Sequence, residues 1–258
     1  MRFYRPKFQL AALQPPQDRL VSKLGGRPWG FPQSRWSICS DCGDPMSMVA
    51  QLEHALPMID LGVPGSVLHL FYCANMLCMS YGDPTSCEAV VLRCEEISSG
   101  LTEQPLNKDG EQVVNDEVWI AGWGTHDDPV TLQQLPSFYH DQAHRKLPEE
   151  IAHPYDFDLG WYTKAGGAPY WTGHGVTLDP SHTPFPPFEL LLQIHETVYL
   201  EGEVPVEELV DNSINLFEHT SFDRVAYCVN FANLGTGTGF IFIDRSSTPP
   251  LVRWHWSP

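Results

Sequence analysis

Two closely spaced cysteine pairs carry the most specific chemistry in this chain: Cys39-Ser-Asp-Cys42, followed by Gly43, and Cys73-Ala-Asn-Met-Leu-Cys78. A C-x2-C turn closed by glycine lets nearby amides approach the sulfurs, and four thiolates at about 2.3 Å make a closed tetrahedral zinc site. We therefore expect Cys39, Cys42, Cys73 and Cys78 to hold a structural zinc. Such a shell leaves no open coordination position, which argues against zinc catalysis. The competing reading is that Cys73, Cys87 and Cys94, which sit in apolar surroundings, are buried small hydrophobes.

Catalytic constellations are otherwise scarce. The chain has no G-x-x-x-x-G-K-[ST], no G-x-S-x-G and no H-E-x-x-H. His140 and His144 could meet on one helical face with Asp141 between them, but flanking Pro136 and Pro148 and the lack of an obvious third ligand favour exposure to solvent. His126, Asp127 and Asp128 follow Gly122-Trp-Gly124 as a polar cluster. With no visible nucleophile or cofactor motif beside it, that cluster is expected to be a solvated loop, and the chain is expected not to be an enzyme.

The elements that must position these residues are duplicated. Ser22-Lys-Leu-Gly-Gly-Arg-Pro-Trp29 is matched by Thr163-Lys-Ala-Gly-Gly-Ala-Pro-Tyr170. Each copy is followed by an apolar run around a single glutamine, 46–54 around Gln51 and 188–196 around Gln193, and then by a second apolar run, 67–72 or 239–244. Three matched elements in one order indicate an internal repeat. The runs have strand length and are bounded by Gly, Pro and Asp. A glutamine inside such a strand needs partners for its amide, and the irregular Lys-Gly-Gly-x-Pro loop offers backbone groups, so Gln51 and Gln193 are expected to be structural. Residues 116–123 read as a further strand, and 17–23 and 205–217 as short helices. The predicted fold is α+β, β-rich and internally duplicated, with mainly antiparallel sheets and a few short helices. Its parts are a basic N-terminal segment (1–21), a first repeat with the cysteine knuckle (22–94), an acidic insertion (95–154) and a second repeat (155–258), with the repeats packed as one globular unit.

Charge narrows the partners. The chain of 258 residues has 15 Lys+Arg against 32 Asp+Glu, a net charge of −17. Residues 1–35 hold seven of the bases and only Asp18 among the acids, so the remainder carries −23. Direct nucleic-acid binding needs a basic footprint and is not expected. The longest apolar stretch, 67–79, is too short to span a bilayer, and 8–13 is too short for a signal-peptide core. These features predict a cytoplasmic protein without membrane contact, in which cysteines serve as thiols or metal ligands and not as disulfides.

The series Ser-Lys-Leu-Gly-Gly-Arg-Pro-Trp, Cys39-x2-Cys42-Gly-x-Pro-Met46, Ala-Gln-Leu and a strand ending at Cys73 with Cys78 beyond resembles the YwqG-like family, a bacterial domain-of-unknown-function family. It is more distantly similar to the eukaryotic programmed-cell-death-protein-2 relatives. The resemblance covers roughly residues 22–245. It implies a large antiparallel β component with internal duplication and no established enzymatic activity. It also implies protein-binding roles: immunity proteins of polymorphic and type VI secretion toxins, or an escort for a ribosomal protein. The expectation that follows is a non-enzymatic inhibitor of a cognate, basic toxin protein, a nuclease whose active site it covers, with an assembly chaperone for a basic client as the alternative and a hydrolase third. The expected contact surface comprises Asp127 and Asp128 together with Tyr199, Glu201, Glu203, Glu207, Glu208 and Asp211. Carboxylates there would occupy the Arg and Lys positions that receive phosphates.

Overall fold

The computed structural model describes residues 1–10, 18–75, 78, 86–139, 163–171, 188–195, 197–200, 227–230 and 237–257. The apolar runs form strands, as their length and turn-forming boundaries dictate. They are β1 (Arg2–Leu10), β2 (Lys23–Leu24), β3 (Ser47–Glu53), β4 (Val67–Tyr72), β5 (Cys87–Leu92), β6 (Val118–Asp127), β7 (Lys164–Gly166), β8 (Glu189–His195), β9 (Thr197–Leu200), β10 (Tyr227–Asn230), β11 (Thr238–Asp244) and β12 (Leu251–Ser257). Helical structure among the described residues is confined to short 3-10 turns at Gln33–Arg35, Cys94–Glu96 and Leu135–Tyr139. The fold is β-rich. The helix expected over 17–23 does not form in its described part, because Lys23 is drawn into strand pairing on both sides, with Gln51 and with Trp119. The helix expected over 205–217 lies outside the described residues.

Ten strands make one antiparallel sheet in the order β12-β11-β8-β7-β1-β6-β2-β3-β4-β5, and β9 pairs with β10 separately. The sheet curls until its edge strands β12 and β5 come into contact, and Tyr72 of the neighbouring β4 lies 6.0 Å from Trp254 of β12. Its order is a palindrome about the β1–β6 pair. Lys23 stands opposite Gln51 and Leu24 opposite Ala50, just as Lys164 stands opposite Gln193 and Ala165 opposite Leu192. The correspondence extends to irregularities: β3 skips Val49 against β4, and β8 skips Leu191 against β11. Both skipped residues enter one buried cluster with Leu24, Leu52, Leu70, Ala165, Leu192, Ile241 and Trp254, so the two halves share a core.

The halves also exchange their leading strands. β1 precedes the first Lys-Gly-Gly motif but pairs with β7 beside the second, and β6 precedes the second motif but pairs with β2 beside the first. Residues 1–21, taken from sequence as a basic segment, therefore contribute a central strand, as does the 95–154 segment through β6. Phe3 and Pro6 of β1 are buried while Arg2 and Lys7 are exposed, so the basic side chains flank a strand that is otherwise inside the sheet.

Candidate metal centre

The Lys-Gly-Gly-x-Pro loops are anchors for the strands, and their chemistry is the same in both halves. Gln51 accepts the Trp29 amide hydrogen at 2.6 Å and donates to the Val21 carbonyl at 2.7 Å. Gln193 accepts the Tyr170 amide hydrogen at 3.0 Å. The Ser22 hydroxyl accepts the Glu53 amide hydrogen, and the Thr163 hydroxyl accepts that of His195. Both glutamines are fully buried, so these bonds satisfy groups that water cannot reach.

Both lysines are fully buried as well. Lys23 is paired with Glu117 at 2.7 Å, and Lys164 lies 3.9 Å from Asp128 and donates to the Ala168 carbonyl. Burial pushes the Lys164 ammonium down to about 7 although Asp128 opposes the shift, and burial likewise lowers Lys23 against the pull of Glu117. The second glycine of each motif is what admits the carboxylate. Gly26 and Gly167 both have positive φ, and a Cβ would strike the Glu117 carboxylate at the first and the Asp128 carboxylate at the second.

The cysteine knuckle belongs to the first half. Cys39 and Cys42 lie on a turn whose Gly43 has φ 71°, closed by the Gly43 amide on the Cys39 carbonyl and the Cys39 amide on the Asp44 carbonyl. Cys73 follows β4, and the Cys78 amide bonds the Asn75 carbonyl. The loop before β3 and the loop after β4 are thereby brought together. The four ligand sulfurs lie within 4.8 Å of one another, with Cys39 to Cys78 at 3.7 Å and Cys42 to Cys73 at 3.6 Å. Four thiolates around an ion at about 2.3 Å have tetrahedral edges of about 3.8 Å, so the donor set fits a metal ion.

Protonation chemistry supports that fit. Burial pushes the thiols of Cys73 and Cys42 up. At Cys39 burial acts in the same direction, but the amides of Cys42 and Asp41 and the neighbouring thiols outweigh it and hold this sulfur below its ordinary range. One thiolate is favoured at Cys39 and those at Cys42 and Cys73 are opposed, an opposition that a bound cation would offset. Phe31, Trp36, Met46, Met48 and Phe71 pack around the sulfurs, and Cys42 is the most exposed of the four. The competing reading of Cys87 as a small buried hydrophobe agrees with its place in the core, whereas Cys94 is exposed.

In the second half the register puts Asp244 where the first has Cys73. Asp244 accepts from the Ser246 amide at 2.8 Å, the Ser246 hydroxyl at 2.6 Å and the Ser247 hydroxyl at 3.3 Å. A capped turn thus closes one half at the position where the cysteine cluster closes the other.

The residues expected to contact a partner are dispersed. Asp127 ends β6 and is exposed. Asp128 departs from the expectation of a solvated loop: it is buried and accepts hydrogen bonds from the Val130 amide, the Ala168 amide and the Tyr170 hydroxyl. It serves Lys164 instead of a presented surface. Tyr199 lies in β9 opposite Cys228. Glu201, Glu203, Glu207, Glu208 and Asp211 lie outside the described residues, as do His140, Asp141 and His144. Sequence reasoning flagged both lysines through the repeat but missed their acids, because neither Glu117 nor Asp128 lies in the repeated motif.

Among the described residues no helix is long and apolar enough to cross a membrane. No family model, no curated protein and no solved structure matches the chain, so the likeness to the YwqG-like family rests on the motifs quoted above.

Proposed function

We propose that this chain is a non-enzymatic, zinc-clamped protein that works by binding another protein: an immunity protein that neutralises a cognate antibacterial nuclease by covering its basic active site. The observation that carries the reading is the excess of acid over base in the chain. The net charge is −17, and many of the described bases are committed internally. Lys23 and Lys164 are buried, Arg27 pairs with Glu103, Arg35 with Glu96, and Arg245 with Asp60 and Glu189. Asp41, Glu88, Asp109, Glu111 and Asp127 are exposed, as are the bases Arg2, Lys7, Arg19 and Arg253. An outward acidic field speeds and orients association with a cationic partner, while desolvated apolar anchors hold it. Zinc suits a closed set of four thiolates, and in that setting its contribution is to folding.

The test is co-expression with the product of the neighbouring gene. A stable complex and restored growth of cells carrying that nuclease support the reading. Selective capture of a ribosomal protein, with no protection, would replace it by the escort role. Turnover of a substrate by the isolated protein would overturn both.

A further inference from the structure

The cysteine knuckle and the segment 103–116 form one continuous structure. The Lys108 ammonium donates to the Cys42 carbonyl, the Lys108 amide meets Asp44 at 3.3 Å, and the other Asp44 oxygen accepts from Asn75 at 2.9 Å. Farther along, the Ser47 hydroxyl donates to the Val113 carbonyl and the Asn115 side chain to the Met48 carbonyl at 2.8 Å. The arm folds back on itself through the Asn107 amide on the Glu111 carbonyl and the Gln112 side chain on the Gln104 carbonyl.

On these two laced segments large apolar side chains face water: Ile38 at 50%, Leu106 at 61%, Val113 at 40% and Val114 at 39% exposure. Single exposed hydrophobes are ordinary, but these four are carried on two segments that hydrogen bonds hold together. Asp41, Asp109 and Glu111 are exposed on the same two segments, Glu103 is paired with Arg27, and Lys108 is the sole Lys or Arg within 36–45 and 103–116, with its ammonium turned onto the Cys42 carbonyl.

We propose that this face, knuckle and arm together, is where a basic amphipathic segment of a partner protein docks. The inference rests on the protein-binding reading and gives it a location and a ligand chemistry: aliphatic side chains of the partner against Ile38, Leu106, Val113 and Val114, and its Lys or Arg against the surrounding acids. An apolar centre within a charged rim is the usual anatomy of such contacts. The cysteine cluster fixes the base on which the arm sits.

The experiment uses the metal-loaded full chain and two peptides of equal length and charge, one of lysine and leucine in amphipathic order and one of lysine and serine. Calorimetry measures affinity, and amide chemical shifts locate the site. The lysine-leucine peptide should bind at least about tenfold tighter, with shifts confined to 38–45 and 103–116. Replacing Ile38, Leu106 and Val113 together by Ser should remove that preference, whereas Leu56→Ser with Leu132→Ser, which are exposed elsewhere, should leave it intact. Equal affinity of the two peptides, or an equal loss in the control variant, overturns the proposal. Shifts that map to another face overturn it while leaving the protein-binding reading standing, and absence of binding to either peptide or to the co-encoded protein removes both.

Discussion

The ammonium of Lys164 lies 3.9 Å from the carboxylate of Asp128, and neither side chain reaches water. Lys23 and Glu117 make the corresponding pair in the first half. Glu117 immediately precedes β6 and Asp128 immediately follows it, so one strand carries at its two ends the acids that neutralise the lysines of both repeats.

Removing Asp128 should therefore cost more than removing Lys164. Asp128→Ala leaves Lys164 buried without its carboxylate and frees two amides and the Tyr170 hydroxyl, and should lower stability by about 3–5 kcal/mol. Lys164→Met leaves a carboxylate still held by three hydrogen bonds and should cost about 1–3 kcal/mol. Denaturant titration at neutral pH checks the order, and a costlier Lys164→Met would refute the account.

Alkaline stability carries the signature of the same lysine. Its folded pKa of about 7 lies below the ordinary 10.5 of a lysine, so across that window the unfolded chain binds more protons. Stability then rises with pH, by at most about 1.4 kcal/mol per unit for this group. Lys164→Met should flatten the rise between pH 7 and 10, and an unchanged slope would place the effect elsewhere.

His69 should respond in the acid range. It stands opposite Gln51 where the second half places Phe240 opposite Gln193, its ring nitrogens make no hydrogen bond of normal geometry although the Trp29 backbone is near enough to oppose the shift, and the Phe31 ring is 5.0 Å away. Burial pushes it down to about 3 from an ordinary 6.5. Below pH 6.5 the unfolded chain gains a proton that the folded one refuses, so stability falls with falling pH. His69→Phe copies the other half, and should stabilise by about 1 kcal/mol at neutral pH and reduce the loss between pH 6.5 and 4. Thermal melts across that range decide it.

The metal should contribute to the stability of the fold. Purified protein should contain zinc, and Cys39→Ser or Cys73→Ser should lower zinc content and melting temperature together, because binding and folding are linked. Spectroscopy of the cobalt-substituted protein should report four sulfur ligands. Chelator-resistant stability equal to that of the untreated protein would exclude a structural role.

Truncation distinguishes a central strand from a basic tail. Deleting residues 1–10 takes β1 from between β6 and β7 and leaves both edges unpaired. The truncated chain should lose cooperative unfolding or become insoluble, whereas charge-neutral replacement of Arg2 and Lys7 by Gln should be tolerated within about 0.5 kcal/mol.

Much of this was legible in order along the chain. The apolar runs named the strands because burial on both faces leaves little room for polar residues, and the recurrence of Lys-Gly-Gly-x-Pro and its later glutamine named the equivalent positions. Cysteine spacing identified the knuckle because short loops keep paired sulfurs within reach of one ion. What the tertiary structure alone decided was pairing across long separations. Nothing local marks β1 as the partner of a strand more than a hundred residues away, since basic residues at its exposed positions look the same in a tail. Asp128 reads as a loop acid until the fold sets it against Lys164, because whether a carboxylate is solvated or buried depends on the element that covers it.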